Sequence, residues 1–562
     1  MRYVLLILVA ASLALAEKSV CGTEELLPIG FTEEELQRLD EIGTYGPNAT
    51  DPPPAGTRNP GEFEPATGVM IRWPLGVPYD LIVDFSSEGT VWVICESYQQ
   101  GDVESAFSAA GVNMDNVDYV LAPTNSIWVR DYGPWFIALP DGEIAIFDYD
   151  YNRPRPDDDL IPWEIGDQWG LEVYASDIVH TGGNYMSAGF DQSMSTDMVY
   201  DEDENPQGED WVDSQMEMYL GVTDYVTPED PQGSYIDHID CWAKMLSPDR
   251  LMVLEVPPGH PDYTALESTA EMLGQTASPY GTDWQVFRVY SAGTEGYTNS
   301  LMNEDRVYMP VWNTSNDSPA IMAYEEALPG YQVDGYYHSG FSNTDALHCR
   351  TRNAMDVEML TVWHVPVDSV QMASQPVEIE ALIRPHPTNS VTSHLLHYRT
   401  GTSGPFTEVD MSAAGDDIYT AQIPGQTPGA LVQYYVTASD DSGRDEESPR
   451  FAPNTWFHEY QTSETGVADQ THLAPGAWIT DPVPNPFAGS VALTLALEEA
   501  GRAEAAVFDL SGRMVARLAS GEMQAGAHRL RWTPESSVPS GVYVVRVSAA
   551  GSTATRRVTL LH

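Results

Sequence analysis

Positive charge is what this sequence has least of. Against 84 aspartates and glutamates stand 26 lysines and arginines, a formal charge of −58, and lysine occurs only at Lys18 and Lys244. A surface this acidic repels DNA, RNA and anionic lipid, so a nucleic-acid binder is not expected. It attracts cations and basic peptides, and it also serves solubility in salty water. Cysteine is scarce as well. Cys21, Cys95, Cys241 and Cys349 are too few for a disulfide scaffold in a chain of 562 residues. They allow two bridges in three connectivities, and no pair has the CxxC spacing of a cysteine zinc site. Long apolar runs are missing after the first twenty residues, so no membrane span is expected. The exception, MRYVLLILVAASLALAEKSV, reads as a secretory signal at 1–16, cleaved after Ala16. The expected product is exported.

A chain of this length exceeds one ordinary core, so several domains are expected. Residues 17–59 contain FTEEELQRLDEI at 31–42, where Thr32 and Glu35 have capping-box spacing ahead of Leu36, Leu39 and Ile42; a short helix is expected. The breaker-rich TYGPNATDPPPAGTRNPG that follows reads as a tether, or the edge of a pro-segment. From 60 to 365, short apolar runs such as GVMIRWPL, GTVWVICES, EIAIFDYDY, RLMVLEVPP and RVYMPVW read as strands. Between them lie helix-compatible segments such as DVESAFSAAG and YTALESTAEMLGQ. The rhythm predicts a repeated α/β unit. Residues 366–463 read as strands with closely spaced turns, an immunoglobulin-like sandwich. A linker is expected at 464–480 and a second small β-sandwich at 481–562.

That last segment carries Pro484-Asn485-Pro486-Phe487, the turn DLSGR at 509–513, and Gly541-Val542-Tyr543. It resembles the C-terminal sorting domains of the type IX secretion route. The resemblance implies that the secretion machinery is a partner, and that the destination is the cell surface or the medium.

Four stretches of the 60–365 region combine polar residues unusual for strands with aromatic or glycine partners: NSIWVRDYGPWF, SYIDHIDCWAKML, EGYTNSLM and DALHCRTRNAM. Each alone has a plain reading. His238-x-Asp240 could be a metal-ligand pair or two residues on one strand face; Arg130-Asp131 could be a salt bridge; Asn299 could be a backbone cap. Together they supply what thiol chemistry on a guanidinium requires. Carboxylates such as Asp131 and Asp240 can accept the forked N–H donors of that cation. Aromatic rings at Trp128, Tyr235 and Trp242 can stack on it. A thiolate at Cys349 can attack its central carbon, and His238 can carry the proton of departing ammonia.

The order WVRDYGP, YIDHID, TNS, ALHCRT resembles the Porphyromonas-type bacterial peptidylarginine deiminases, relatives of agmatine deiminases. The resemblance implies a pentein, a five-bladed pseudo-symmetric α/β propeller with a central active site. It implies Cys349 as nucleophile, His238 as general acid and base, Asp131 and Asp240 as guanidinium anchors, and Asn299 as a positioning group. Trp128, Tyr235 and Ile236 become pocket wall, with Thr344 near the thiol. HTGGNYM at 180–186 resembles a family glycine motif, in which His180 and Asn184 receive no role. The implied route uses no organic cofactor and no catalytic metal; structural calcium or sodium at acidic loops such as DEDEN (201–205) is a further expectation.

Arg153 and Arg155 in NRPRPDDD would, on the plain reading, bridge to Asp157–Asp159; the resemblance instead implies binding of the carboxylate of a C-terminal arginine. The expected activity is thus conversion of peptide arginine to citrulline and ammonia. The alternatives are deimination of a small guanidine such as agmatine, or a secreted binder that has lost activity.

Overall fold

The computed structural model describes residues 26–201, 205–367, 369–452 and 456–463, and most of 471–560. The signal segment, Cys21, the acidic residues 202–204 and the greater part of the PNPF and DLSGR motifs lie outside the described residues. The chain divides into two compact units. One extends to Ala270 and resumes for Gln285–Met359; the other holds Glu271–Trp284 and the chain from Leu360 onward.

The first unit repeats one motif. Trp135–Ala138 pairs antiparallel with Ile144–Tyr151, which pairs parallel with Val173–His180. A parallel return needs a long crossover, and the helix Ile161–Trp169 lies within it. Its sequence marks both ends: Pro162 falls in the first turn, and Gly170 closes it at φ +71, a left-handed conformation that glycine adopts without steric cost. Ile161 and Ile165, one turn apart, are buried. The pattern recurs in the sheets of Met186–Ser187, Gln192–Met194 and Asp224–Val226, then Ala243–Ser247, Arg250–Glu255 and Gln285–Tyr290, then Leu301–Asn303, Arg306–Val311 and Gln332–Tyr337. The remaining sheet joins the two ends of the segment. Arg352–Met355 pairs antiparallel with Ala66–Arg72, which continues through parallel Thr90–Cys95 and Val117–Leu121. The expected strands and the two expected helices all form.

Strands covered on both faces read as continuous apolar runs, as Val91, Val93, Ile94 and Cys95 do. Phe107, Leu81, Phe85 and Val93 share one core, where Phe85 meets Tyr308 edge-on at 4.7 Å. Truncating a side chain as buried as Phe107 to alanine costs about 3–5 kcal/mol.

Residues 31–42 depart from the expected helix. The capping box is present, with Thr32 N–H donating to Glu35 Oε2 at 2.7 Å and Glu35 N–H donating to Thr32 Oγ1 at 3.2 Å. Only two 3₁₀ turns follow, Glu35–Gln37 and Leu39–Glu41, and Leu36 and Leu39 are exposed. With no partner for its apolar side, the segment has nothing to extend a helix against.

In the second unit, the sheet Thr361–Trp363, Val377–Arg384, Ile418–Ile423, Ser412–Gly415 and the sheet around Leu431–Asp440 and Val391–Thr400 share one core that includes Ile379, Ile383, Leu396, Val432 and Tyr434. Leu360 belongs to that core, so the first sandwich begins before residue 366. The last sandwich likewise begins before 481. Thr471–Ala474 and Ala477–Ile479, inside the expected linker, pair onward to Val491–Leu497 because Ile479 is apolar and buried with Leu495 and Val507. The described Gly541–Ala549 is a central strand of this sandwich.

Candidate active site

Cys349 sits on the 3₁₀ turn His348–Arg350 and is fully buried. Its Sγ accepts from Asn299 Nδ2 at 3.1 Å and lies 3.6 Å from Asp240 Oδ2. Asn299 also holds the turn itself: its Oδ1 accepts from the N–H groups of Ala346 and Cys349, and its carbonyl accepts from His348 N–H. Asp240 arrives on the turn Ile239–Cys241, directly after His238. Asp131, on the short helix Val129–Tyr132, accepts from Gly183 N–H at 3.1 Å and stands 3.7 Å from His238 Nδ1. The structure therefore brings Asp131, His238, Asp240, Asn299 and Cys349 together from four separate stretches.

Gly183 explains the HTGG motif. A Cβ there would fall 2.5 Å from both Asp131 Oδ1 and His238 Nδ1, so only glycine lets the backbone pass between them. Asn184 Oδ1 accepts from Ile239 N–H and from Thr196 N–H, which holds the turn bearing Asp240. His180 faces Trp135 at 4.9 Å and meets the Tyr225 hydroxyl through Nε2, a core position. Asp237, just before His238, takes a left-handed φ of +50, and its carbonyl accepts from Thr196 Oγ1. That costly backbone is kept where the chain must aim the imidazole.

Burial and the two carboxylates set the electrostatics of the site. Burial, then repulsion from Asp240, pushes the Asp131 carboxyl up to about 7. Burial, with Asp240 and Asp131 adding to it, pushes the Cys349 thiol well above its ordinary range. Burial drives His238 down to about 3, against the pull of Asp240. A planar cation between the two carboxylates would reverse the first two shifts at once.

Sequence reasoning did not find Glu62. His348 Nδ1 meets Asp240 Oδ2 at 2.7 Å, and its Nε2 meets Glu62 Oε2 at 2.8 Å. Glu62 also bonds Lys244 Nζ and accepts from Met302 N–H. Burial opposes its charge, but Arg130, Lys244 and His348 hold its pKa well below the usual carboxylate range. The available signal was Lys244, one of two lysines in the chain and placed inside an apolar strand. Arg350, beside the thiol in sequence, donates instead to Asp345, Gly340 O and Gly76 O.

The residues expected as pocket wall have the following neighbours. Trp128 Nε1 donates to Leu27 O at 3.0 Å, and its ring lies under Arg350 at 5.3 Å. Tyr235 is largely exposed and covers Gly30; Ile236 is buried. The Thr344 carbonyl faces Cys241 Sγ at 3.4 Å. Trp242 is buried in the core. Arg153 and Arg155 are buried and do not bridge to Asp157–Asp159. Arg155 Nε donates to Glu35 Oε1 at 2.7 Å and its Nη2 to Pro28 O and Gly30 O; Arg153 Nε donates to Ile29 O, with Phe31 packed on its guanidinium at 4.4 Å. The carboxylates expected as their partners are committed elsewhere, Asp158 to Ser126 and Asp159 to Tyr151 N–H. Cys95, Cys241 and Cys349 are free, so no bridge forms among the described cysteines. Among the described residues no group of three or more His, Cys, Asp or Glu is arranged to hold a metal, and no helix is long and apolar enough to cross a membrane.

The sequence profile of Porphyromonas-type peptidyl-arginine deiminases matches residues 58–354, and that of secretion-system C-terminal sorting domains matches residues 483–560. A provisionally named agmatine deiminase of Vibrio parahaemolyticus is 21% identical over 340 residues, covering 51% of this chain and 92% of that protein. One of Enterococcus faecalis is 23% identical over 346 residues, covering 50% and 90%. The solved agmatine deiminase of Enterococcus faecalis, at 20% identity, superposes with a TM-score of 0.50 over 55% of this chain and 99% of that one. At that identity the likeness establishes the fold, the pentein fold. The sorting domain marks the protein for the cell surface or the medium.

Proposed function

This chain belongs to the Porphyromonas-type peptidyl-arginine deiminase family, and from that premise we propose that it hydrolyses the guanidinium of peptide arginine, at a C-terminal position, to citrulline and ammonia. The observation that carries the reading is the thiol of Cys349 held 3.6 Å from Asp240, with Asp131 and His238 buried beside them.

The guanidinium enters between Asp131 and Asp240, each accepting N–H donors. Its charge lowers the thiol pKa, and the thiol proton passes to His238. The thiolate attacks the central guanidinium carbon. His238 returns the proton to the departing nitrogen, ammonia leaves, and a thiouronium remains on Cys349. A water that gives one proton to His238 then attacks the same carbon; the C–S bond breaks, the proton on His238 goes back to sulfur, the second water proton leaves to solvent, where it converts ammonia to ammonium, and citrulline departs. Asn299 positions the thiol throughout. None of these steps calls on an organic cofactor or a catalytic metal, and a bound calcium or sodium ion would be structural.

In this reading the five sheets stand around a common axis, and residues from Leu360 to Ser463 form an immunoglobulin-like sandwich. Arg153 and Arg155 receive the substrate carboxylate once segment 28–35 moves away, since a guanidinium fork suits a carboxylate. A second reading, deimination of agmatine, is favoured by that same occupied arginine pair and by the relatives that carry the name. Comparing a free-acid arginine peptide, its C-terminal amide and agmatine separates them. Preference for the free acid supports the first reading, and preference for agmatine replaces it.

A further inference from the structure

The first unit contains a cavity whose wall includes neither Cys349 nor Asp131. It holds about 50 Å³, is partly open to solvent, and is bordered by Glu62, Arg130, Lys244, His348, Arg352 and Asn353. Its chemistry is unbalanced. Three cations face it in a protein with only 26 cationic residues, and Glu62 is the single carboxylate on the wall.

Glu62 cannot balance them. Its oxygens are already engaged by Lys244 Nζ, Met302 N–H and His348 Nε2. Arg130 Nη2 lies 3.0 Å from Glu62 Oε2, yet that nitrogen and Arg130 Nε are buried without a hydrogen-bond partner. The Arg352 guanidinium makes no hydrogen bond or ion pair with any described residue, and its Nε is buried. Arg130 itself is 4% exposed. Buried guanidinium N–H groups without acceptors are costly, and the Arg130 charge also repels that of Arg352.

We propose that this cavity binds a small monovalent anion, of halide or formate size, between the guanidiniums of Arg130 and Arg352. Water could accept some of the open N–H groups but would leave the repulsion in place. A polyvalent anion would meet the Glu62 carboxylate on the same wall. The molecule's overall acidity does not forbid binding, because exposed charges are screened over about 8 Å at physiological salt while buried contacts are screened far less. Burial and the Arg130 charge already press Arg352 down to about 9, a strain that an anion relieves. The bound anion would stand at the outer end of the chain Glu62–His348–Asp240.

The test uses the full-length protein at constant ionic strength, with sodium gluconate as the bulky background anion. Chloride NMR linewidth is followed as protein is added, then bromide or formate is titrated in, and melting temperature is recorded in each salt. Saturable chloride broadening, reversed by bromide, with melting raised by several degrees over gluconate, is expected. Reversal by formate as well marks a site that takes carboxylates; reversal by bromide alone marks a halide site. Arg352→Met should lose both the broadening and the salt-specific rise, and Arg352→Lys should keep part of each. Absence of saturable broadening in the wild type, or equal broadening in a folded Arg352→Met, overturns the proposal. If the methionine variant does not fold, the wild-type competition decides.

Discussion

Glu35 places its carboxylate on the guanidinium of Arg155, with Oε1 accepting from Nε at 2.7 Å and Oε2 from Nη2 at 3.3 Å. Thr32 fixes that carboxylate from behind through the capping box. The arginine pair proposed to receive a substrate carboxylate thus already holds one from its own chain. Removing residues up to Gly43 should free it. A charge-assisted hydrogen bond is worth roughly 1.5–3 kcal/mol, so KM for free-acid arginine peptides should fall about tenfold to a hundredfold. Glu35→Gln should give a smaller fall in the same direction, and KM for agmatine should move less. An unchanged KM after deletion would show that the segment does not compete.

Asp131 gives a pH-dependent stability. Its folded pKa, about 7, stands above the ordinary 3.8. Its contribution is therefore fully present below the unfolded value and is lost as pH rises through the folded one. Asp131→Asn keeps the acceptor for Gly183 N–H and removes the charge. Melting of the variant should exceed wild type at pH 8 and match it near pH 3.5, with deimination lost. Equal melting curves at pH 8 would contradict the placement of an uncompensated carboxylate there.

The thiol should react selectively. With its pKa raised by burial and two carboxylates, Cys349 should be alkylated slowly by neutral iodoacetamide at pH 7 and faster as pH rises. Chloroacetamidine carries the planar cation that Asp131 and Asp240 lack. It should inactivate at least tenfold faster at pH 7, and Asp131→Asn should erase that advantage. Similar rates for the two reagents would mean that the carboxylates do not form a cation seat.

Much of this was legible from local patterns. Strand and helix segments of the first unit follow from apolar runs and their breakers, and the thiol, imidazole and carboxylates follow from four short motifs. What escaped is non-local. Glu62 reaches His348 from 286 positions away, and nothing in GEFEPATG announces it. On the plain reading the Arg153–Arg155 pair would bridge to adjacent aspartates, yet the partner of Arg155 is Glu35, 120 residues upstream. The helix expected from the capping box stopped short because a cap specifies a start but supplies no packing surface. The linker at 464–480 was misjudged because Ala477, Trp478 and Ile479 are too few to signal a strand without their neighbour Val491–Leu497.

The final sandwich carries the sorting-domain match, which ends at residue 560, and export should depend on it. Its core, with Trp532, Val545 and Val558, is closed by residues of the same segment. Deleting 471–562 should leave active enzyme in the cell envelope and little in the medium. Normal secretion by the deletion strain would refute the sorting role, and loss of activity in cell extracts would show that catalysis needs the domain.

The most direct measurement is citrulline formation from a free-acid arginine peptide by purified wild type and Cys349→Ala, with quenched reactions digested and the Cys349 peptide weighed. The account predicts turnover by wild type, a transient mass increase on the peptide bearing Cys349, and a loss of several orders of magnitude in the alanine variant with its melting curve preserved. Citrulline release by Cys349→Ala at the wild-type rate would contradict it, as would a wild type that turns over no guanidinium substrate.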